Sequence, residues 1–312
     1  MRKKSNGIAA PMLIALLCSP TSWYLHDLRR AAGARHQIVP LLFRDLESHV
    51  GNAGLTITAG GFDLSRADAV LVRTMPAGSL EHVVLRMDLL ARLEAAGTPV
   101  INPPRAIEAA VDKYLTTAKL AAAGLPVPRT RVCQSAAAAL EAFDALGGDI
   151  VLKPLFGGEG RGIARIGDRA IAERTFSLLV GLGAVLYVQE FVHHPGYDVR
   201  VLLVGSRVYG MRRVNSLDWR TNISRGATAE PLELTADLVE LAQRAATAVG
   251  ACLAGVDLLL GPDGQWRVIE VNAVPGWQAL GRTLGVDVAA AVLDFIAATV
   301  ATSAGPADAG AR

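Results

Sequence analysis

Short apolar runs alternate with longer stretches of helical periodicity from residue 12 onward, and this rhythm predicts repeated strand–helix–strand units. Residues 12–18, 38–43, 69–73 and 100–101 read as strands, and residues 23–33 and 80–97 as helices. Strands that alternate with helices predict a small, mostly parallel sheet covered by helices. Asn102-Pro103-Pro104 punctuates its end.

Beyond that point the pattern changes. Residues 107–124 form a helical run stopped by Gly124, with Pro126 and Pro128 following. Residues 148–154 read as a strand, followed by Gly157-Gly158-Glu159-Gly160-Arg161-Gly162 and a second strand at 163–166. A helix at 170–182, a strand at 185–188 and a hairpin of 199–204 with 207–211 about Gly205-Ser206 come next. Residues 235–250 are helical, with Thr235 as N-cap. A last helix covers 287–299. Residues 1–11 and the small-residue tail 302–312 are expected to be disordered.

The hairpin between those two helices is the most informative segment. Residues 256–260 and 265–272 flank Gly261-Pro262-Asp263-Gly264. A turn closing symmetrically about Pro262 and Asp263 sets Leu260 opposite Gln265 and Asp257 opposite Val268. Period-two alternation then projects Asp257, Glu270 and Asn272 from one face. Oxygen donors beside apolar neighbours suit a hard cation such as Mg²⁺ shared with phosphates; the alternative is an acidic edge open to water.

Composition narrows the class. Half of the residues are hydrophobic (51%), aromatics are scarce (5%), and 31 basic residues nearly cancel 29 acidic ones, for a net charge of +2. Nucleic acid as an obligate partner is not favoured. Cys18, Cys133 and Cys252 lack metal-ligand or disulfide-framework spacing, so the cytoplasm is the default compartment. Met1-Arg2-Lys3-Lys4 before an apolar stretch resembles a short signal peptide, but the continuing β-α-β rhythm favours a first buried strand. No apolar run reaches the ~20 residues that span a bilayer.

Several other residues carry candidate chemistry. The glycines at 157, 158, 160 and 162 join two strands, unlike a P-loop or Rossmann turn, and read either as a flap over phosphate or as an ordinary hairpin loop. Lys153 ends an apolar strand, where a phosphate partner would account for a buried ammonium. Lys113 in isolation is a surface lysine. Gln189-Glu190-Phe191-Val192 could present backbone groups to a base, with Glu190 free to accept from a ribose, or could be a plain strand end. Asp198 and Arg200 share a strand face, as site surface or as an ion pair. Arg212, Arg213, Arg220 and Arg225 form either an anion clamp or a solvated basic loop.

In order, these pieces resemble the ATP-grasp superfamily and, within it, the RimK-like amino-acid ligases. The matching elements are Asp112-Lys113, Val151-Leu152-Lys153-Pro154, the Gly157 to Gly162 loop, Val188-Gln189-Glu190-Phe191 and Asp198-Val199-Arg200. Met211-Arg212-Arg213-Val214, the run from Asp218 to Gly226, Gly255-Val256-Asp257 and the run from Glu270 to Gly276 continue the series. The resemblance implies an α/β and α+β ATP-grasp fold. Its parts would be a parallel α/β pre-ATP-grasp lobe at 12–103 and an ATP-grasp domain at 104–301, divided into a central lobe (about 126–188) and a C-terminal lobe (about 189–301). It also implies ATP, two Mg²⁺ ions (with Mn²⁺ as an alternative) and a reaction through an acyl phosphate.

By position, Lys113, Lys153 and Gly157, Gly158, Gly160 and Gly162 would hold phosphates. Gln189, Glu190, Phe191 and Val192 would frame the adenine, with Asp198 and Arg200 beside the nucleotide. Asp257, Glu270 and Asn272 would bind metal, and Arg213, Arg220, Asn222 and Arg225 would contact phosphate or the acyl phosphate. The expected partners are glutamate and a carboxylate-bearing acceptor, without nucleic acid or membrane, in a dimer or tetramer. Asp218-Trp219-Arg220-Thr221-Asn222 followed by Glu230-Pro231 is closer to the cofactor- and carrier-modifying members than to the ribosomal modifier. The expected product is therefore a glutamylated, tetrahydromethanopterin-type cofactor. Arg73 reads either as a contact for the acceptor's carboxylate or as a structural ion pair. The rivals are a ribosomal-tail or carrier-protein ligase, a non-catalytic nucleotide-binding regulator, and a phosphotransferase.

Overall fold

The computed structural model describes residues 10–52, 54–158 and 160–303, so the basic start, most of the expected tail and Glu159 lie outside the described residues. It divides into two compact units.

In the first unit, β1 (Leu13–Leu17), α1 (Trp23–Ala32) and β2 (Gln37–Leu41) are followed by an antiparallel ribbon of β3 (Leu46–Gly51), β4 (Gly54–Ala59) and β5 (Phe62–Asp63). Then come β6 (Ala69–Val72), α2 (Leu80–Ala95) and β7 (Val100–Ile101), and the division between the units falls within α3 (Pro104–Val111), after Ile107. The strand order β2-β1-β6-β7 is parallel throughout, as the alternating pattern predicts. β1 is a central, buried strand, which fits the strand reading of this segment. The ribbon was not legible, because residues 46–51 are exposed at all but one position and carry no periodic apolar face. Arg73 follows β6 and is buried, its guanidinium 4.5 Å from the Tyr24 ring centroid. Burial lowers its pKa to about 10.

The second unit opens with α4 (Lys113–Ala122), β8 (Thr130–Cys133), α5 (Ala136–Ala145), β9 (Ile150–Lys153), β10 (Ala164–Ile166), α6 (Arg169–Gly181) and β11 (Leu186–Glu190). β12 (Tyr197–Val204), β13 (Arg207–Val214), β14 (Thr228–Pro231), α7 (Ala236–Val249), β15 (Leu253–Leu260), β16 (Trp266–Asn272) and α8 (Gln278–Leu284) follow, and α9 (Val288–Ser303) ends the described chain. The expected single helix over 107–124 is two. Asp112 takes an extended conformation and its Oδ1 accepts the Leu115 N–H at 3.0 Å, so a capping carboxylate restarts the helix with Lys113 at its first position.

Two sheets make this unit. In the first, ordered β10-β9-β11-β8, Ile150, Leu152, Leu186 and Val188 pack on Phe143, Phe176 and small residues of α5 and α6. Alternation turns Val151, Lys153, Tyr187 and Gln189 to the opposite face. The second sheet is ordered β14-β13-β12-β15-β16 and is covered by α7.

The last helix groups with the first unit and runs on through Ser303. Arg30 on α1 binds Asp287 bidentately at 2.7 and 2.8 Å, and the buried face of α9 (Val288, Val292, Ile296) is apolar. The turn at Gly205 belongs to the same unit. A Cβ there would stand 2.6 Å from Phe295, at a φ of +57° that favours glycine. Among the described residues no single helix is long and apolar enough to cross a membrane.

Candidate active site

The inner faces of the two sheets of the second unit bound a cleft. Val151, Ile163, Val192, Leu259 and Ile269 make an apolar slot, while Lys113, Lys153, Glu270, Asp257 and Asn222 line its polar part.

The acidic hairpin reaches this cleft by a route that differs from the symmetric turn. Leu260 pairs with Trp266, not Gln265, and Asp257 pairs with Glu270, not Val268. The loop is closed by Gly261 N–H donating to Gln265 O (2.9 Å), which shifts the register by one. A bulge then leaves Ile269 without a partner and shifts the register by one more. The bulge turns Glu270 away from the face of buried Val268 and towards that of Asp257. The shared face was expected; the bulge that produces it was not.

Asp257 is not an open metal ligand. Its carboxylate accepts from Arg200 Nε and Nη2 at 2.6 and 2.7 Å and lies 2.9 Å from Arg213 Nη2. Arg213 also holds Asp198 bidentately, and Thr221 Oγ1 donates to the same Asp198 at 2.6 Å. Burial alone would raise the Asp257 pKa, but Arg200 and Arg213 outweigh it and hold it at about 2. Asp198 is shifted upward because burial outweighs Arg213. Asp198 and Arg200 therefore pair with residues of other strands rather than with each other. Arg200 and Arg213, expected at nucleotide and phosphate, are committed to carboxylates. Among the described residues no three His, Cys, Asp or Glu side chains gather as a metal cage. Glu270 and Asn272 fit a metal shared with phosphates, since Mg²⁺ needs only one or two protein carboxylates; Asn272 Oδ1 also accepts the Val274 N–H at 2.8 Å.

The lysines sit differently. Lys153 and Tyr187 are direct cross-strand partners, and Gln189 lies diagonal to Lys153. Lys153 Nζ donates to Gln189 Oε1 at 2.7 Å. Burial lowers its pKa to about 8 against the opposing pull of Glu270. Lys113 Nζ donates to Gly157 O at 2.5 Å, and burial lowers its pKa as well, with Glu270 again opposing. Glu270 lines the same cleft as both lysines and favours their charged forms.

The glycine loop lies against the segment after β13. A Cβ on Gly160 would stand 2.6 Å from Asn222 Oδ1, and Arg225 Nη2 donates to Gly160 O at 3.3 Å. Gly157, Gly160 and Gly162 all have positive φ. Arg220 is held by Asp218 at 2.6 Å, and Arg212 pairs with Glu230 away from Arg213, so the arginine cluster is dispersed. Glu190 is not free for a ribose: alternation sends it outward, where it accepts from Arg129 N and Nε at 2.9 and 2.6 Å. Phe191 is flanked by Arg165, 3.6 Å from its ring centroid, and by Trp219 edge-on at 5.6 Å. Sequence reasoning quoted Trp219 and Thr221 only within a motif and gave them no role, and it missed Tyr187 and Thr130; of these two, only Tyr187 carried a signal, its period-two spacing from Gln189.

Residues 110–296 match the RimK-like ATP-grasp domain. The chain belongs to the RimK-like ATP-grasp family. This RimK-like chain is an ATP-dependent ligase that forms a carbon–nitrogen bond. It is 35% identical to the tetrahydromethanopterin:alpha-L-glutamate ligase of Methanosarcina acetivorans, over 80% of this chain and 86% of that one. It is 31% identical to a ribosomal protein bS6–L-glutamate ligase of Escherichia coli, over 91% and 95%. Its structure resembles that of the ATP-grasp ligase PsnB with a minimal precursor, at a TM-score of 0.74 and 26% identity, covering 92% of this chain and 99% of that one.

Proposed function

We propose that this RimK-like chain is a cytoplasmic, ATP- and Mg²⁺-dependent ligase that activates a carboxylate as an acyl phosphate and adds L-glutamate to a small tetrahydromethanopterin-type cofactor. The observation that carries the chemistry is that Glu270 lines one cleft with Lys113 and Lys153 and favours their charged forms. The name of the methanosarcinal relative supports the acceptor class.

A carboxylate is a poor electrophile until a phosphoryl group converts its oxygen into a leaving group, and that transfer depends mainly on positioning and charge neutralisation. Lys113 and Lys153 supply two fixed cations. The apolar slot accepts a base, with backbone groups of Phe191 and Val192 at its edge. Glu270 and Asn272 would hold the metal, which when bound neutralises phosphate charge. Asn222 and Arg225 lie beside the glycine loop and Arg220 lines the cleft, where release from Gly160 and Asp218 would let the arginines meet the activated carboxylate. The loop over the cleft excludes water that would hydrolyse it. Arg200, Arg213, Asp198 and Asp257 shape the wall of the site and act through one another.

A protein tail as acceptor is the second reading, favoured by the near-complete coverage of the bS6-modifying relative. ATP-dependent phosphate release with glutamate, measured across pterin cofactors, carrier-protein tails and ribosomal tail peptides with product masses, separates the two. A glutamyl mass gain on a pterin is the expected result. A gain on a peptide alone would replace the acceptor, and ADP formation with a stable phosphorylated product in place of an amide would point to a phosphotransferase.

A further inference from the structure

The hydrogen bonds around Lys153 run in one direction. Thr130 Oγ1 donates to Pro128 O at 2.9 Å, so its single hydrogen is spent and its oxygen accepts. Gln189 Nε2 lies 2.9 Å from that oxygen and 3.0 Å from the Tyr187 hydroxyl, which in turn is 2.7 Å from Thr117 Oγ1. Both amide hydrogens of Gln189 are engaged by hydroxyl oxygens. The amide is therefore oriented by its partners, and only Oε1 remains to face Lys153. A flipped amide would set two N–H groups against an ammonium.

Strand register builds this arrangement. Thr130 on β8 is directly opposite Gln189 on β11, and Tyr187 is directly opposite Lys153 on β9. Gln189 is buried at 3% exposure, and its side-chain amide is engaged by Thr130, Tyr187 and Lys153.

We infer that Gln189 is a positioning residue for Lys153: locked by Thr130 and Tyr187, its side-chain oxygen holds the ammonium in the cleft while adding no charge of its own. The inference rests on the nucleotide role proposed for the cleft. A neutral acceptor leaves the full positive charge of Lys153 available to phosphate. A carboxylate at the same place would fix the ammonium equally well and cancel it. The charged and titratable groups facing Lys153 are Glu270 on β16, Asp257 on β15, Lys113 at the start of α4 and Tyr187 on β11.

The test is binding of ADP with Mg²⁺ to the intact chain between pH 6.5 and 9.5, for wild type, Gln189→Glu, Gln189→Met and Lys153→Met, with thermal melting of each. Wild type should lose affinity on an alkaline limb as the ammonium deprotonates, and Lys153→Met should lack that limb. Gln189→Glu should move the limb up by about one pH unit and weaken binding about tenfold at pH 7, while Gln189→Met should move it down by about one pH unit. Thr130→Val, which unlocks the amide from the opposite strand, should move it down by less. Equal losses in both Gln189 variants with the limb unmoved would mean a merely structural residue and overturn the inference. A limb that persists in Lys153→Met would also overturn it. Failure of wild type to bind ADP at all would sink the nucleotide reading itself, and the inference with it.

Discussion

The two sheets that face the cleft hold their cations in opposite ways. On the β12–β16 side, Arg200 and Arg213 are neutralised by Asp257 and Asp198, and Thr221 fills a further bonding position. On the β8–β11 side, Lys153 is held by an amide oxygen, and the neighbouring Lys113 at the start of α4 by a carbonyl oxygen. A buried cation paired with carboxylates is part of the architecture and has no charge left to offer. A buried cation held by neutral oxygens still exerts its field, so it destabilises the fold and is free to meet an anion. The difference separates the residues that shape the site from those equipped to bind phosphate, although all are basic and all line or approach the same cleft.

The largest effect should come from Glu270, the carboxylate that lines the same cleft as both lysines. Glu270→Gln should lower ATP turnover by about 1000-fold with an unchanged melting curve; turnover within a few fold of wild type would remove its assigned role. On the neutralised side, Arg213→Met leaves two buried carboxylates facing each other and should cost about 3–5 kcal/mol of stability, read by denaturant unfolding. On the other side the sign reverses. Lys153→Met should weaken nucleotide binding yet raise stability at pH 7, because lowering the ammonium pKa from 10.5 to about 8 corresponds to on the order of 3 kcal/mol.

The pH dependence of that gain follows from linkage. Between pH 8 and 10.5 the unfolded chain binds more protons at this lysine than the folded one, so wild-type stability rises with pH there. The gap to Lys153→Met should be constant below pH 8 and shrink across this window. A gap that widens instead would contradict the buried ammonium. The smallest effect belongs to the loop between the two sides. Gly160→Ala, strained by a φ of +69° and close to Asn222, should reduce turnover about tenfold with little change in melting.

Much of this was legible before any coordinates. The parallel order of β1, β2, β6 and β7 follows from apolar runs alternating with helical periods, and the capped helix α7 from Thr235 and Gly250. Lys153 stood out because a charge at the end of an apolar strand needs a reason. The β3–β5 ribbon was invisible because its strands are largely exposed, and α4 was merged with α3 because periodicity does not register one capping aspartate.

Sequence alone determined the family and the α/β alternation and marked the lysines, Glu270 and Asn272 as candidates, since these depend on residue type, order and spacing. Only the tertiary structure decided which charges are available. It turned Glu270 towards the cleft with a bulge at Ile269, engaged Asp257 with two arginines, sent Glu190 outward to Arg129, and placed Gln189 against Lys153. The physical reason is that charge availability depends on the partner within a few ångströms. Strand register and bulges select that partner from residues up to 61 positions apart, as with Arg129 and Glu190, and no local pattern encodes it.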